Sequence, residues 1–202
     1  MPMCAHHHAL AGAFDGPTLD LAHLRMTLEG LDETSLVEAM RSIGKPEMQQ
    51  LWVACEGEGT TAEDFVPRDA PVGTEIIHVG KNSLPVFNQF EKRFAHAADR
   101  PGACYGYNES PTRWAIGPGY FVAHHDDNYG EFGVNYFVVP PAGSQLPNRW
   151  PRIVPNEQGL QQFVYGKTID YMRRVAEGVT IGRAVHKGKA TDNYFVLVRT
   201  GS

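Results

Sequence analysis

The run 124–127, His-His-Asp-Asp, holds the densest group of side chains that could bind a metal or move a proton. Successive residues of a strand point to opposite faces, so His124 and His125 would not share one ion, although His125 and Asp127 could. An Asn-Tyr-Gly turn follows, and we therefore interpret the run as a strand end and predict no metal site. His124 is retained as a candidate general base, which would need a carboxylate neighbour such as Asp170.

Two further acidic residues, Glu131 and Asp170, are candidates for acid–base catalysis. Catalysis without a cofactor needs an acid and a base in one cavity, so these residues and His124 are the first set to consider. Asp170 is also followed by Arg173, whose guanidinium could bind the carboxylate of a ligand through two hydrogen bonds. A structural ion pair is the alternative for these two residues.

Aromatic side chains are concentrated in the second half of the chain, and they favour a pocket for a small molecule. Half of the residues of a strand face the core, so most of these rings pack, but a buried tyrosine hydroxyl needs a hydrogen-bonding partner. An apolar pocket with a few convergent phenols is typical of a small-ligand site. Asn108 and Glu109 could add polar groups to it, or could end a strand in a turn. The candidate ligand-binding residues are Tyr107, Trp114, Tyr120, Tyr136, Tyr165 and Arg173.

The sequence lacks the short motifs that bind cofactors or activate nucleophiles. It contains no Gly-x-Gly-x-x-Gly after a predicted strand, no Walker lysine motif, no Gly-x-Ser-x-Gly and no His-Glu-x-x-His, so we predict no cofactor. The cysteines Cys4, Cys55 and Cys104 include no close pair. This spacing argues against a disulfide framework and a zinc site, and it predicts a reduced, cytoplasmic protein.

The composition is typical of one globular domain, residues 1–202. Hydrophobic residues make up 42% of the chain and charged residues 20%, and the formal net charge is −5. Nucleic-acid binding favours a basic excess, and a membrane span needs about 18 consecutive apolar residues; the sequence has neither. We therefore expect no nucleic-acid or membrane partner, while the oligomeric state stays open.

Residues 16–57 are predicted to be helical, and residues 1–15 to be loosely ordered. Pro17 stands at the start of the first helix, and leucines then recur at spacings of three and four. Asp32 can cap a second helix, and Pro46 begins a third.

Residues 75–200 are predicted to form a mostly antiparallel sheet, because aromatic and β-branched residues alternate in short runs separated by Gly, Pro and Asn. Short connections make neighbouring strands antiparallel. One helix is expected early in this body, capped by Asn82 or Ser83, with phenylalanines at helical spacing and Lys92 facing away from them. Segment 169–176 fits a helix or a strand. The predicted strands are 75–79, 104–107, 113–116, 120–125, 131–139, 160–165, 179–185 and 194–199.

Three segments follow one another in the C-terminal half: 114–121, rich in Tyr, Gly and Pro; 169–175, with the pattern Asp-aromatic-x-Arg-x-Val; and the Gly-bearing segment 182–197. In this order they resemble small bacterial lipocalin-like barrel proteins of unknown function. The chain departs from one such group because it lacks Gly-x-Trp-x-Gly and has additional N-terminal helices. The resemblance implies a closed or half-closed barrel with a hydrophobic ligand pocket, and it carries over no catalytic residues.

We therefore expect an α+β fold in which N-terminal helices precede a mostly antiparallel, lipocalin-like barrel. The predicted function is the binding of a small hydrophobic or aromatic ligand in the barrel pocket. One alternative is a cofactor-independent isomerase, cyclase or lyase that acts on an apolar small molecule in the same pocket. The other is a protein-interaction module that uses the leucine stripe of the helices.

Overall fold

The computed structural model describes residues 10, 12–16, 18–85 and 88–201, in which helices precede a closed barrel of eight antiparallel strands. The predicted α+β fold is confirmed, and the barrel is closed rather than half-closed. Predictions that concern Cys4, Pro17 and Phe87 lie outside the described residues.

Three helices, α1 (Leu21–Glu29), α2 (Glu33–Ser42) and α3 (Lys45–Ala54), pack on the outer surface of the barrel. The side chain of Asp32 caps α2 by accepting a hydrogen bond from the Ser35 backbone, as the sequence predicts. On the leucine stripe of α1, Leu24 and Leu28 are buried in the core between helices and barrel, and Leu21 packs against this core partly buried. None of the helices within the described residues is long and apolar enough to cross a membrane.

Each strand pairs with the next along the chain, and the last strand closes the barrel by pairing with the first. Short helices interrupt the connections: α4 (Ala62–Phe65) precedes the barrel, α5 (Arg113–Ile116) follows the third strand, and α6 (Gln161–Val164) follows the fifth. The strands are β1 (Ile76–Asn82), β2 (Gln89–His96), β3 (Cys104–Glu109), β4 (Phe121–Asp126), β5 (Glu131–Asn135), β6 (Thr168–Ala176), β7 (Val179–His186) and β8 (Lys189–Thr200).

Three local predictions are wrong. Where a helix capped by Asn82 or Ser83 is expected, Gln89–His96 form strand β2. Phe90 and Phe94 lie four residues apart, and this spacing satisfies a strand as well as a helix. The strands expected at 113–116 and 160–165 are the short helices α5 and α6 within long connections. Segment 169–176, which fitted either structure, belongs to strand β6.

Glycines inside the barrel let large aromatic rings cross the neighbouring strands. A Cβ atom on Gly106 would lie 2.4 Å from the backbone oxygen of Arg93 and against the ring of Phe121. A Cβ atom on Gly182 would lie 2.2 Å from the ring of Phe195. These close approaches hold both phenylalanine rings in the barrel interior.

The two ends of the barrel differ in what fills them. At one end Phe65 of α4 stacks on Phe94 and Phe132, with ring centroids 5.0 and 5.1 Å apart, and these rings close the interior. The connections β1–β2, β3–β4, β5–β6 and β7–β8 lie at the opposite end, where Lys92 is buried. We name them the Phe65 end and the Lys92 end.

Candidate functional site

Four polar side chains meet inside the barrel near the Lys92 end, and we call Lys92, Asn108, Tyr136 and Asp170 the Lys92 cluster. Their exposed fractions lie between 2% and 6%. Lys92 Nζ donates hydrogen bonds to Asp170 Oδ2 at 3.0 Å, to Asn108 Oδ1 at 3.1 Å and to Tyr136 Oη. A buried ion pair thus shares its lysine with an amide and a phenol.

Strand register explains why these residues meet. Lys92 of β2 lies directly opposite Asn108 of β3, so the two side chains share one face of the sheet. Asp170 enters from β6, and Tyr136 follows the last residue of β5, which pairs with β6. All four point inward, so a polar cluster lies inside the barrel among mostly apolar side chains. The buried His78, opposite Lys92 on β1, is a further polar side chain of this interior.

Aromatic rings surround the Lys92 amine. Its Nζ lies 5.0 Å from the ring centroids of Tyr136 and Phe195, 5.4 Å from that of Phe121 and 5.7 Å from that of Phe90. Burial lowers the pKa of Lys92 because it disfavours the ammonium, and the charge of Asp170 opposes this shift. The desolvation by burial is the larger effect.

Two side-chain amides hold Tyr136 in place, Asn108 at its hydroxyl and Asn156 at its backbone. Asn108 Nδ2 donates to Gly119 O at 3.0 Å and to Tyr136 Oη at 3.1 Å. Asn156 Nδ2 donates to the backbone oxygens of Tyr120 and Tyr136, at 2.6 and 2.8 Å. Burial and the nearby carboxylate of Asp170 raise the pKa of Tyr136 well above its usual range, so its hydroxyl stays protonated.

Tyr165 lies beside the Lys92 cluster and stacks on Tyr136, with ring centroids 5.3 Å apart. Gly119 makes room for this ring, since a Cβ atom there would lie 2.4 Å from it and the backbone φ of +55° suits glycine. Gln161 of α6 accepts a hydrogen bond from the Gly119 backbone at 3.2 Å. The β3–β4 connection and α6 therefore hold Tyr165 over the cluster.

His124 lies on the outer face of β4, away from the cluster, and its ring Nδ1 pairs with the His125 backbone oxygen at 2.7 Å. His125 and Asp127 lie 3.8 Å apart at the exposed turn after this strand. The described residues contain no group of three or more His, Cys, Asp or Glu side chains that could hold a metal ion.

Glu131 and Arg173 form an ion pair on the outside of the barrel, where Arg173 Nε donates to Glu131 Oε1 at 2.9 Å. The Arg173 guanidinium also donates to Trp52 O at 2.5 Å and lies 3.8 Å from the centroid of the Trp52 ring. Arg173 thus joins α3 to the barrel. Of the predicted acid–base residues, only Asp170 lies in the interior.

The tyrosines that sequence reasoning selected divide between the two surfaces of the barrel. Tyr136 and Tyr165 belong to the interior site, whereas Tyr107 and Tyr120 pack with Trp150 on the outer face. Tyr120 Oη donates to Pro151 O at 2.5 Å. Trp114 projects from α5 with 87% of its surface exposed.

Exposed apolar side chains gather on the connections at the Lys92 end. They lie on the β1–β2, β3–β4 and β5–β6 connections, which belong to the same end of the barrel as the Lys92 cluster. They are Leu84, Trp114, Phe137, Val138, Leu160, Phe163 and Val164.

Sequence reasoning missed Lys92 because the segment was predicted as a helix with this lysine facing away. The signal that could have identified it is the alternation of Phe90, Lys92 and Phe94, which places a lysine between two inward aromatic residues of a strand. A lysine in that position is unusual because its charge must be desolvated.

No family model, no curated protein and no solved structure matches this chain. The resemblance to lipocalin-like barrel proteins stays a prediction.

Proposed function

We propose that the protein binds a small, uncharged, largely apolar or aromatic molecule at the Lys92 end of the barrel. A polar group of the ligand, such as a carbonyl or hydroxyl, would contact the Lys92 cluster. The observation that carries this proposal is the buried pair of Lys92 and Asp170, shared with Tyr136 and enclosed by aromatic rings.

A buried ion pair is a costly way to fill a barrel. Removing both charges from water costs several kcal/mol per ion, and apolar side chains of similar volume often stabilise a fold equally well or better. The Phe65 end of the same barrel is filled mainly by stacked rings, and a buried titratable side chain among these rings, His78, is an imidazole that pairs with the Phe65 backbone oxygen. The polar groups at the opposite end therefore support a binding role, since sites for small molecules combine apolar walls with a few convergent polar groups.

The charges of the cluster determine which ligands it suits. Lys92 and Asp170 carry opposite charges 3.0 Å apart, so the pair is neutral as a whole. A carboxylate or an ammonium brought beside the pair would stay uncompensated in an apolar interior, and its desolvation is costly. A neutral carbonyl can instead accept a hydrogen bond from Lys92 or Tyr136, and a neutral hydroxyl can donate one to Asp170.

The position of the cluster supports entry from the same end. The exposed apolar connections lie there, and the Asp170 side chain keeps 9% of its surface exposed, compared with 3% for Lys92. An apolar ligand that meets this surface would reach Tyr165 and the carboxylate before it reaches the lysine.

A matched series of naphthalene compounds tests the proposal by isothermal titration calorimetry. We expect neutral 2-acetylnaphthalene to bind at least about tenfold more tightly than 2-naphthoate or 2-naphthylmethylammonium, which is about 1.4 kcal/mol. Equal or tighter binding of either ion would contradict the choice of a neutral ligand, and absence of binding by all three would contradict the site.

A pair of tyrosine variants locates the binding. Tyr136→Phe removes one hydrogen-bonding group inside the barrel and should weaken 2-acetylnaphthalene binding about five- to tenfold, or roughly 1 kcal/mol. Tyr120→Phe is the matched control, because Tyr120 is equally buried but lies on the outer face. The Tyr120 variant should bind like the unmodified protein, and equal binding by both variants would refute the assignment.

A further inference from the structure

The Lys92 amine has the surroundings that carbonyl chemistry requires. Its Nζ is enclosed by aromatic rings, with a carboxylate oxygen at 3.0 Å and the hydroxyl of Tyr136 in direct contact. A lysine reacts with a carbonyl carbon only as the neutral amine, and desolvation favours that form. Asp170 can take the proton that the ammonium must lose, and Tyr136 can supply a proton to an oxygen.

Lys81 shows that burial alone does not create such a site. Desolvation by burial lowers the pKa of Lys81 as well. However, Lys81 Nζ lies outside the barrel and donates to the backbone oxygens of Arg41 and Ile43, at 2.6 and 2.7 Å. These carbonyls mark the end of α2, and they can neither accept a proton from the ammonium nor supply one to a reacting oxygen.

We propose that Lys92 forms an imine with an aldehyde or ketone ligand held at the Lys92 end. This inference rests on the proposed function, because the ligand must first occupy the same site. The inference also defines the ligand class as an aromatic or conjugated carbonyl compound. Its π-system would pack against the rings of Phe90, Phe121 and Phe195, whose centroids lie 5.0–5.7 Å from Lys92 Nζ.

The reaction balances with the groups present. Asp170 accepts one proton from the Lys92 ammonium, and the neutral amine attacks the carbonyl carbon, so that a C–N bond forms as the carbonyl π-bond breaks. The oxygen takes a proton from Tyr136, and the nitrogen returns one to the phenolate. The carbinolamine oxygen then leaves as water with the proton held by Asp170, and the C=N bond forms. No atom changes its overall oxidation state, and water is the only by-product.

Reductive trapping on the full-length protein tests this inference. The probe is 2-naphthaldehyde, incubated with the protein and sodium cyanoborohydride, and the product is examined by intact mass and by peptide mapping. We expect a mass increase equal to the probe less one oxygen atom, located at Lys92. Lys92→Arg should abolish this adduct while circular dichroism confirms folding, and Lys81→Arg should leave it unchanged.

A rate measurement separates a positioned reaction from accidental labelling. Tyr136→Phe should slow adduct formation at Lys92 at least about tenfold, because general acid catalysis by the phenol is lost. Tyr120→Phe should leave the rate unchanged. A rate that the Tyr136 substitution does not affect would overturn the proposed proton transfer and with it the inference.

The binding series distinguishes the two proposals. If 2-acetylnaphthalene binds but 2-naphthaldehyde modifies only Lys81 and surface amines, the imine inference is overturned and the proposed function stands. If neither compound binds and Lys92 is unmodified, both are overturned. Modification of Lys92 that neutral 2-acetylnaphthalene blocks by competition would support both.

Discussion

The ion pair inside the barrel predicts two variants whose stabilities change with pH in opposite directions. Asp170→Asn leaves the Lys92 ammonium buried without its carboxylate, which should cost about 3–5 kcal/mol of unfolding free energy at pH 7. The cost has an upper limit, because the lysine can instead lose its proton. An unfolded lysine has a pKa of about 10.4, so neutralising it costs about 5 kcal/mol at pH 7 and about 3 kcal/mol less at pH 9.

Lys92→Met should lose stability with the opposite dependence on pH, since it leaves the Asp170 carboxylate without its cation. An unfolded aspartate has a pKa of about 3.9, so neutralising the carboxylate costs about 4 kcal/mol at pH 7 and about 3 kcal/mol less at pH 5. The loss of stability in Asp170→Asn should therefore shrink as the pH rises, and the loss in Lys92→Met should shrink as the pH falls.

Urea unfolding of both variants and of the unmodified protein at pH 5, 7 and 9 measures these differences. The double variant Lys92→Met/Asp170→Asn removes both charges and should lie within about 1.5 kcal/mol of the unmodified protein, independent of pH. Glu91→Gln, at the more exposed pair with Arg93, is the surface control and should cost no more than about 1 kcal/mol. Losses below about 1 kcal/mol, or losses that do not change with pH, would refute the description of the pair as a desolvated ion pair.

Two further predictions concern the frame that holds the site. Burial lowers the pKa of His78 to about 4, whereas a histidine of the unfolded chain has a pKa near 6.5. Between these pH values the unfolded chain binds a proton at His78 and the folded chain does not, so acid favours unfolding. Stability should fall by about 3 kcal/mol as the pH drops from 6.5 to 4, and His78→Gln should remove this part of the acid sensitivity; equal sensitivity in urea unfolding would contradict it. Gly106→Ala should lower the free energy of unfolding by at least about 1–3 kcal/mol, because its Cβ would lie 2.4 Å from the Arg93 oxygen. Gly59→Ala is the control and should change thermal stability little, because its Cβ meets no atom within 4 Å. Similar melting temperatures for the two variants would contradict the close packing.

The barrel could be predicted from the sequence because its signals are local. Short turns between alternating runs, such as 126–130 and 186–189, fix antiparallel neighbours without any knowledge of the rest of the fold. The helix prediction is wrong over Phe90–Phe94 because two phenylalanines four residues apart satisfy both periods, and the lysine between them is as polar as the exposed face of a helix.

The site could be predicted only in part because it depends on which face of each strand points inward. Tyr120 and Tyr136 look alike in the sequence, yet Tyr120 lies on the outer face and Tyr136 lies in the interior. Where each strand starts determines which of its residues point inward, and a shift of one residue exchanges the inner and outer faces. Asp170 was selected for its own chemistry, whereas its partner Lys92 is 78 residues away and joins it only when the barrel closes.

The most direct test of the binding site is a titration followed by nuclear magnetic resonance, with tyrosine rings labelled with ¹³C. Addition of 2-acetylnaphthalene should shift the ring resonances of Tyr136 and Tyr165, which lie at the Lys92 cluster. The resonances of Tyr107 and Tyr120, which pack with Trp150 on the outer face, should stay in place. Shifts confined to the outer pair, or no shift in any of the four at saturating ligand, would contradict a ligand site inside the barrel.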